Sequence, residues 1–135
     1  MSPEVTVLMS VYNGELFLRE SIESILNQTF NDFEYLIIND GSTDSSKDII
    51  ESYNDSRIVL YNNEKNMGLT KSLNIGIHRA RGVYIARQDA DDVSHPERLG
   101  KEVQFLSGKP QYAAVGCCIN IIDKKSRIKG SLHKP

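Results

Sequence analysis

The chain has 135 residues, 16 basic against 18 acidic, for a net charge of −2. That length fits one domain with room for a single α/β core. The charge balance excludes a basic nucleic-acid-binding face. With 39% apolar and 25% charged residues, composition excludes disorder. No apolar run reaches the roughly 18–20 residues a membrane span needs. The opening Met1-Ser2-Pro3-Glu4 has no basic and apolar leader pattern and reads as lacking a signal peptide. Cys117 and Cys118 are adjacent, a poor geometry for pairing, and read as reduced thiols in a cytoplasmic setting.

In chain order, Val5 to Val11 is short, β-branched and almost wholly apolar, the pattern of a strand buried on both faces. From about Glu15 to Gln28 the period changes: Leu18, Ile22, Ile25 and Leu26 share one face of a helix. Phe33 to Ile38 is a second strand. A second helix runs from Asp44 to Tyr53, with Ser42, Thr43 or Asp44 as N-cap candidates. Arg57 to Tyr61 reads as a third strand and Thr70 to Ala80 as a third helix, with Gly82 as its C′ residue. Val83 to Ala86 is a fourth strand. Pro96 to Leu106 is a fourth helix, with Pro96 in its first turn. Tyr112 to Val115 and Ile119 to Ile122 are again strand-like. Residues 123–135 turn basic and small, as a tail or linker.

Alternating strands and helices predict a mostly parallel sheet with helices on both faces. Ligands of such sheets sit outside the carboxyl ends of the strands. Three polar clusters follow the strands there: Ser10 to Gly14, Asn39 to Ser42, and Gln88 to Asp92. Asp89, Asp91 and Asp92 place three carboxylates within four positions, which suits a hard cation such as Mg²⁺ or Mn²⁺. Capping of the next helix and shaping of a turn is the competing reading. Asp40 can accept from a ribose hydroxyl or a base N–H, or can form an Asx turn with Gly41. Tyr12 can stack on a base or sit as an ordinary tyrosine. Arg87 and Gln88 read either as contacts to sugar or phosphates or as a strand-end surface pair. His78 and His95 read as surface residues. No G-x-G-x-x-G follows the first strand, and no G-x-x-x-x-G-K-[ST] occurs anywhere. A phosphoacceptor domain would want an acidic pair where Ser10 and Tyr12 stand.

Several runs together resemble the N-terminal half of family 2 glycosyltransferases. They are Val7 to Asn13, Ser24 to Thr29, Asp32-Phe33-Glu34 and Asn39 to Asp44. Asn66-x-Gly68-Leu69, Ala80-x-Gly82-x-Tyr84-Ile85, and Asp89 to Asp92 followed by Pro96-x-Arg98-Leu99 continue the pattern. The resemblance covers residues 4 to 116, in the family's order and spacing.

It implies a truncated GT-A fold that binds a nucleoside-diphosphate sugar, with a UDP-sugar favoured and Mn²⁺ or Mg²⁺ as cofactor. Tyr12 would stack on the base, Ser10 would contact the nucleoside, and Asp40 would read the base edge. Asp89 would lie nearer the ribose, Asp91 would be the direct metal ligand, and Asp92 would stand behind it. Lys71 would approach the nucleotide. The transfer implied is inverting, to the hydroxyl of a glycan or other acceptor, in polysaccharide or cell-surface glycan synthesis. The family's base lies downstream, and Asp123 does not match its motif. The chain alone is therefore expected to bind donor and transfer little. The alternative is an inactive nucleotide-binding or scaffold module of the same fold. Truncation would expose apolar surface for dimerisation. The basic segment Lys124 to Lys129 would contact the inner membrane face or an anionic acceptor, or be a solvated linker. His133 would approach the metal or diphosphate if the tail folded back.

Overall fold

A computed structural model describes residues 2–132. The element order is β1 (Val5–Val11), α1 (Leu18–Leu26), β2 (Phe33–Asn39), α2 (Ser46–Glu51), β3 (Ile58–Asn62), α3 (Leu69–Arg79), β4 (Tyr84–Asp89), α4 (Arg98–Gly108), β5 (Ile119–Ile122) and β6 (Ile128–Leu132). The chain divides into two compact units, the first ending at Leu99 and the second starting at Gly100.

The first unit holds a four-stranded sheet in the order β3-β2-β1-β4, every pairing parallel. β1 and β2 are its centre, and β2 is buried along its whole length. Right-handed crossovers explain the layers. The β1-to-β2 and β2-to-β3 connections step one way, so α1 and α2 share a face and touch. The β3-to-β4 connection steps back across β1, so α3 lies on the other face, over β1 and β2. Alternate residues serve the two faces. Leu8, Leu36 and Ile38 pack with Tyr61, Leu73 and Ile75 on the α3 side. Burying α1 takes Leu18, Ile22 and Ile25 out of water completely.

Two polar devices sit inside this apolar body. Glu34 on β2 accepts from the Thr6 hydroxyl on β1 at 2.6 Å and pairs with Arg81. Burial alone would raise the Glu34 carboxyl. The hydrogen bonds from Thr6 and from Arg81, with the Arg81 charge, outweigh it and hold the carboxyl below its ordinary value. Gly82 is required by close approach: a Cβ there would lie 2.3 Å from the Thr6 nitrogen. It is not the αL residue that the sequence pattern suggests. α3 ends at Arg79 with Ala80 as its C-cap, and Gly82 is absent from the positive-φ residues.

The second unit contains the antiparallel hairpin β5-β6, closed by Asp123 and Arg127. Its partner strand was not legible: Ile128–Leu132 lies inside the stretch whose composition suggests a tail or linker. Tyr112 to Val115, expected as a strand, is irregular; Tyr112 instead packs on Phe105 at 5.4 Å between ring centres. Cys117 and Cys118 are free and exposed. His133 lies outside the described residues. No helix among the described residues is long and apolar enough to cross a membrane.

Candidate functional site: the carboxyl edge of the sheet

The parallel register brings the strand ends to one line. Val11 pairs with Asn39 and Asn39 with Asn62. Ser10 stands between Ile38 and Asp89. Strand order reverses at β1, so the crevice expected of an open α/β sheet falls between the loops after β1 and β4. Ser10 is half-buried at the end of β1, and Tyr12 beyond it is 49% exposed. A ring that exposed is available for stacking.

The loops after β1 and β2 are laced together. Asn13, at a φ of 52°, donates its N–H to Ser42 Oγ, and Asn13 Oδ1 accepts from Thr43 N–H at 2.8 Å. Gly14 N–H donates to Ser46 Oγ. Glu15 is tied to the β2 loop at both ends: Asp44 Oδ2 accepts from Glu15 N–H, and Glu15 Oε2 accepts from Ser45 N–H. Asp44 Oδ1 also takes Ser46 N–H, so Asp44 serves the first turn of α2 although the N-cap position itself is Ser45. The asparagine and the Asp-Gly-Ser-Thr-Asp run are thus one interlocking device rather than two loops.

Asp40 is only 2% exposed. Its Oδ1 accepts from Asn63 Nδ2 at 2.7 Å and from Met67 N–H at 2.9 Å, and its Oδ2 from Gly68 N–H at 2.9 Å. Burial would raise this carboxyl, and those donors outweigh burial and hold it below the ordinary carboxylate value. The Asx-type bond belongs to its neighbour: Asn39 Oδ1 accepts from Ser42 N–H. Gly41 makes the turn at a φ of +69°, and a Cβ there would lie 2.5 Å from the Lys65 carbonyl carbon. Asp40 therefore ties the β2 loop to the segment entering α3. Asn63 continues the tie to Ser72 Oγ at 2.9 Å. Lys71 is exposed in the first turn of α3, beside that segment in sequence. Asn63 and Ser72 carried no sequence signal, because each matters only through a partner distant in the chain.

After β4 the acidic loop begins. Asp89 pairs with Arg87, whose Nη2 and Nε lie 2.8 and 3.1 Å from Asp89 Oδ1. Asp91 is exposed and has no side-chain partner among the described residues. Asp92 has its carboxyl held above the ordinary value, first by partial desolvation and then by the Asp89 and Asp91 charges. The three acids do not converge: among the described residues no group of three or more carboxylate, His or Cys ligands could hold an ion. The donor set fits a hard cation that takes one or two carboxylates and fills its shell with phosphate oxygens and water. It does not fit an all-protein cage.

Gln88 corrects the sequence reading. It is 2% exposed, not at the surface, and both ends of its amide are engaged by protein groups. Its Nε2 donates to Ser21 Oγ and to the Asp92 carbonyl, and its Oε1 accepts from Ser94 Oγ and Arg98 Nη1. The buried side of α1 supplies the rest of the support. Ser21 Oγ donates to the Asp89 carbonyl, Ser24 Oγ accepts from Ser94 N–H, and Gln28 bridges the His95 carbonyl and Leu99 N–H.

Residues 6–134 match the sequence profile of the family described as Glycosyl transferase family 2. The chain belongs to that family. It is 41% identical to an uncharacterized glycosyltransferase of Haemophilus influenzae over 98% of its own length and 42% of the relative's. It is also 41% identical to the putative glycosyltransferase EpsE of Bacillus subtilis, over 98% of this chain and 50% of EpsE. The chain thus spans half the length of these relatives or less. Among solved structures, S. aureus TarS in complex with UDP-GlcNAc superposes with a TM-score of 0.74 at 28% identity, over 78% of this chain and 31% of that one. The mannosyltransferase PcManGT of Pyrobaculum calidifontis, in complex with GDP-Man and Mn²⁺, gives 0.71 at 24% identity, over 79% and 33%. The family 2 chain therefore has the GT-A arrangement, spanning part of the length of the enzymes it matches.

Proposed function

We propose that this chain is the donor-binding part of a glycosyltransferase that takes a sugar from a nucleoside diphosphate, a UDP-sugar in preference, and passes it to an acceptor hydroxyl. The observation that carries the reading is the alignment of Ser10, Tyr12 and the Asp89–Asp91 loop at the switch point of a family 2 sheet. The binding of UDP-GlcNAc by TarS supports the donor class.

Tyr12 stacks on the base and Ser10 contacts the nucleoside. Asp40 Oδ2 keeps one acceptor position beside its bond to Gly68 N–H and takes a base N–H there. Asp89 lies toward the ribose, and Lys71 approaches the phosphates. Asp91, with Asp89, would hold Mn²⁺ or Mg²⁺, which when bound offsets the charge building on the leaving diphosphate. Asp92 backs that pair. The acceptor base is expected from sequence outside these 135 residues, so the chain alone binds donor and transfers little. Transfer is read as inverting, and the setting as polysaccharide or cell-surface glycan synthesis.

Calorimetric titration of UDP, with Mn²⁺ and then with EDTA, tests this. Binding that requires Mn²⁺, and whose metal dependence disappears in Asp91→Ala, is the expected result. No UDP binding by the folded full-length protein in either condition would overturn the reading.

A further inference from the structure

We infer that Gln88, with Ser94 and Arg98, positions the acidic loop for cation binding; this rests on the donor-site reading above. An amide side chain is expensive to bury unless its hydrogen-bonding capacity is met. Gln88 is 2% exposed and fully engaged, and its partners are not spread over the core. On the amide-nitrogen side it grips the main chain at the far end of the acidic run, the Asp92 carbonyl at 2.7 Å, with a longer 3.3 Å contact to the Asp89 carbonyl. Ser21 Oγ holds the same Asp89 carbonyl at 2.9 Å and is itself held by Gln88 Nε2.

On its oxygen side Gln88 is fixed by Ser94 Oγ at 2.7 Å and Arg98 Nη1 at 2.8 Å. Arg98 Nη1 also bonds Ser94 Oγ, and its Nη2 reaches the Arg87 carbonyl. Main chain before the acids, at Arg87 by way of Arg98, and at the last of them, Asp92, is thereby tied to one buried side chain. Asp89, Asp91 and Asp92 repel one another, and repulsion alone would spread the loop. The clamp opposes that spread and sets the separation of the Asp89 and Asp91 carboxylates before a cation arrives. Groups that orient metal-binding carboxylates in this way typically change affinity by about 10–100-fold when lost.

Two independent variants test the clamp. Gln88→Met keeps the volume and removes both ends of the amide; Ser94→Ala removes the Ser94 bonds to Gln88 Oε1 and to Arg98 and leaves the direct Arg98–Gln88 bond. Mn²⁺ affinity of the full-length protein with UDP is read by water-proton relaxation, beside thermal unfolding by circular dichroism. Ile37→Ala, on β2 and separated from Gln88 by Met9 of β1, serves as a destabilised variant outside the clamp's hydrogen bonds. The expected result is Mn²⁺ affinity lowered about tenfold or more in Gln88→Met and less in Ser94→Ala, at a temperature where each is folded. Ile37→Ala loses stability and keeps wild-type Mn²⁺ affinity. Wild-type affinity in both clamp variants, with Asp91→Ala still defective, overturns the clamp and leaves the donor reading intact. Failure of both clamp variants to fold assigns these residues to the fold and also overturns it. A wild-type protein that takes up no Mn²⁺ with UDP overturns the donor reading itself.

Discussion

The two units of this chain spend their apolar residues differently. In the first, β1 and β2 bury Val5, Val7, Leu8, Met9, Val11, Leu36, Ile37 and Ile38 to 2% exposure or less. In the second, the hairpin leaves Ile119, Ile121, Ile128 and Leu132 at 50–65% exposure. The local patterns are not so unlike, since both are runs of β-branched and aliphatic residues. What differs is the number of layers. A parallel sheet needs helical crossovers, and those crossovers cover both its faces. A two-stranded hairpin has no such obligation and is marginal by itself. The site grows from the first kind of structure, because only strands fixed on both faces hold loop residues in register.

The largest test of that contrast is a cavity at the centre. Ile37→Ala should cost about 2–5 kcal/mol in urea unfolding, because Ile37 is wholly buried and a packed core relaxes only partly around such a gap. Equivalent truncation in the hairpin, Ile121→Ala, should cost less than about 0.5 kcal/mol in the same measurement. A comparable loss at both positions would remove the distinction between the units.

An intermediate effect is expected at Glu34. Its carboxyl is held below the ordinary value of 4.5 by Thr6 and Arg81 against the opposing effect of burial. A carboxyl depressed on folding adds stability that is present above the unfolded value and is lost as pH falls through the folded one. Melting temperature should therefore be insensitive to Glu34 above pH 5 or so and fall below it. Glu34→Gln should cost about 1–3 kcal/mol at neutral pH and flatten the acid limb of the melting curve. Asp40, depressed by Asn63 and the Met67 and Gly68 amides against burial, adds to the same limb with the same sign. An unchanged acid limb in Glu34→Gln would show that the Thr6–Glu34–Arg81 link contributes nothing.

Native-state hydrogen exchange sharpens the comparison at its lowest end. Amides of β1 and β2 should exchange only through global unfolding, and those of β5 and β6 through small local openings. Equal protection in the hairpin and the central strands would refute this ordering.

Much of the first unit was legible because its signals are local. β1 is read at its observed limits, and β2 differs by one residue, since both are continuous apolar runs. Helix limits shift by one to three residues, most at α1, where residues 14–17 are turns feeding the helix. β4 extends to Asp89 rather than ending at Ala86, because pairing with β1 carries Arg87 and Gln88 into the ladder. No local composition marks such polar residues as strand. β6 escaped for the related reason that Lys129, Gly130 and Ser131 become a strand only opposite β5.

By itself, the sequence determined the α/β class, the strand-helix alternation, the family and the three loop clusters that face one edge. Periodicity and short motifs are properties of neighbouring residues and survive without coordinates. Only the tertiary structure decided that Asp40 is committed to the segment entering α3, that Gln88 faces inward, and that the three acids do not converge. The first two depend on hydrogen-bond partners 4 to 67 residues apart. A buried polar group takes whichever partner the packed chain brings to it, and that is fixed by the sheet register and the helix layers, not by its neighbours in sequence.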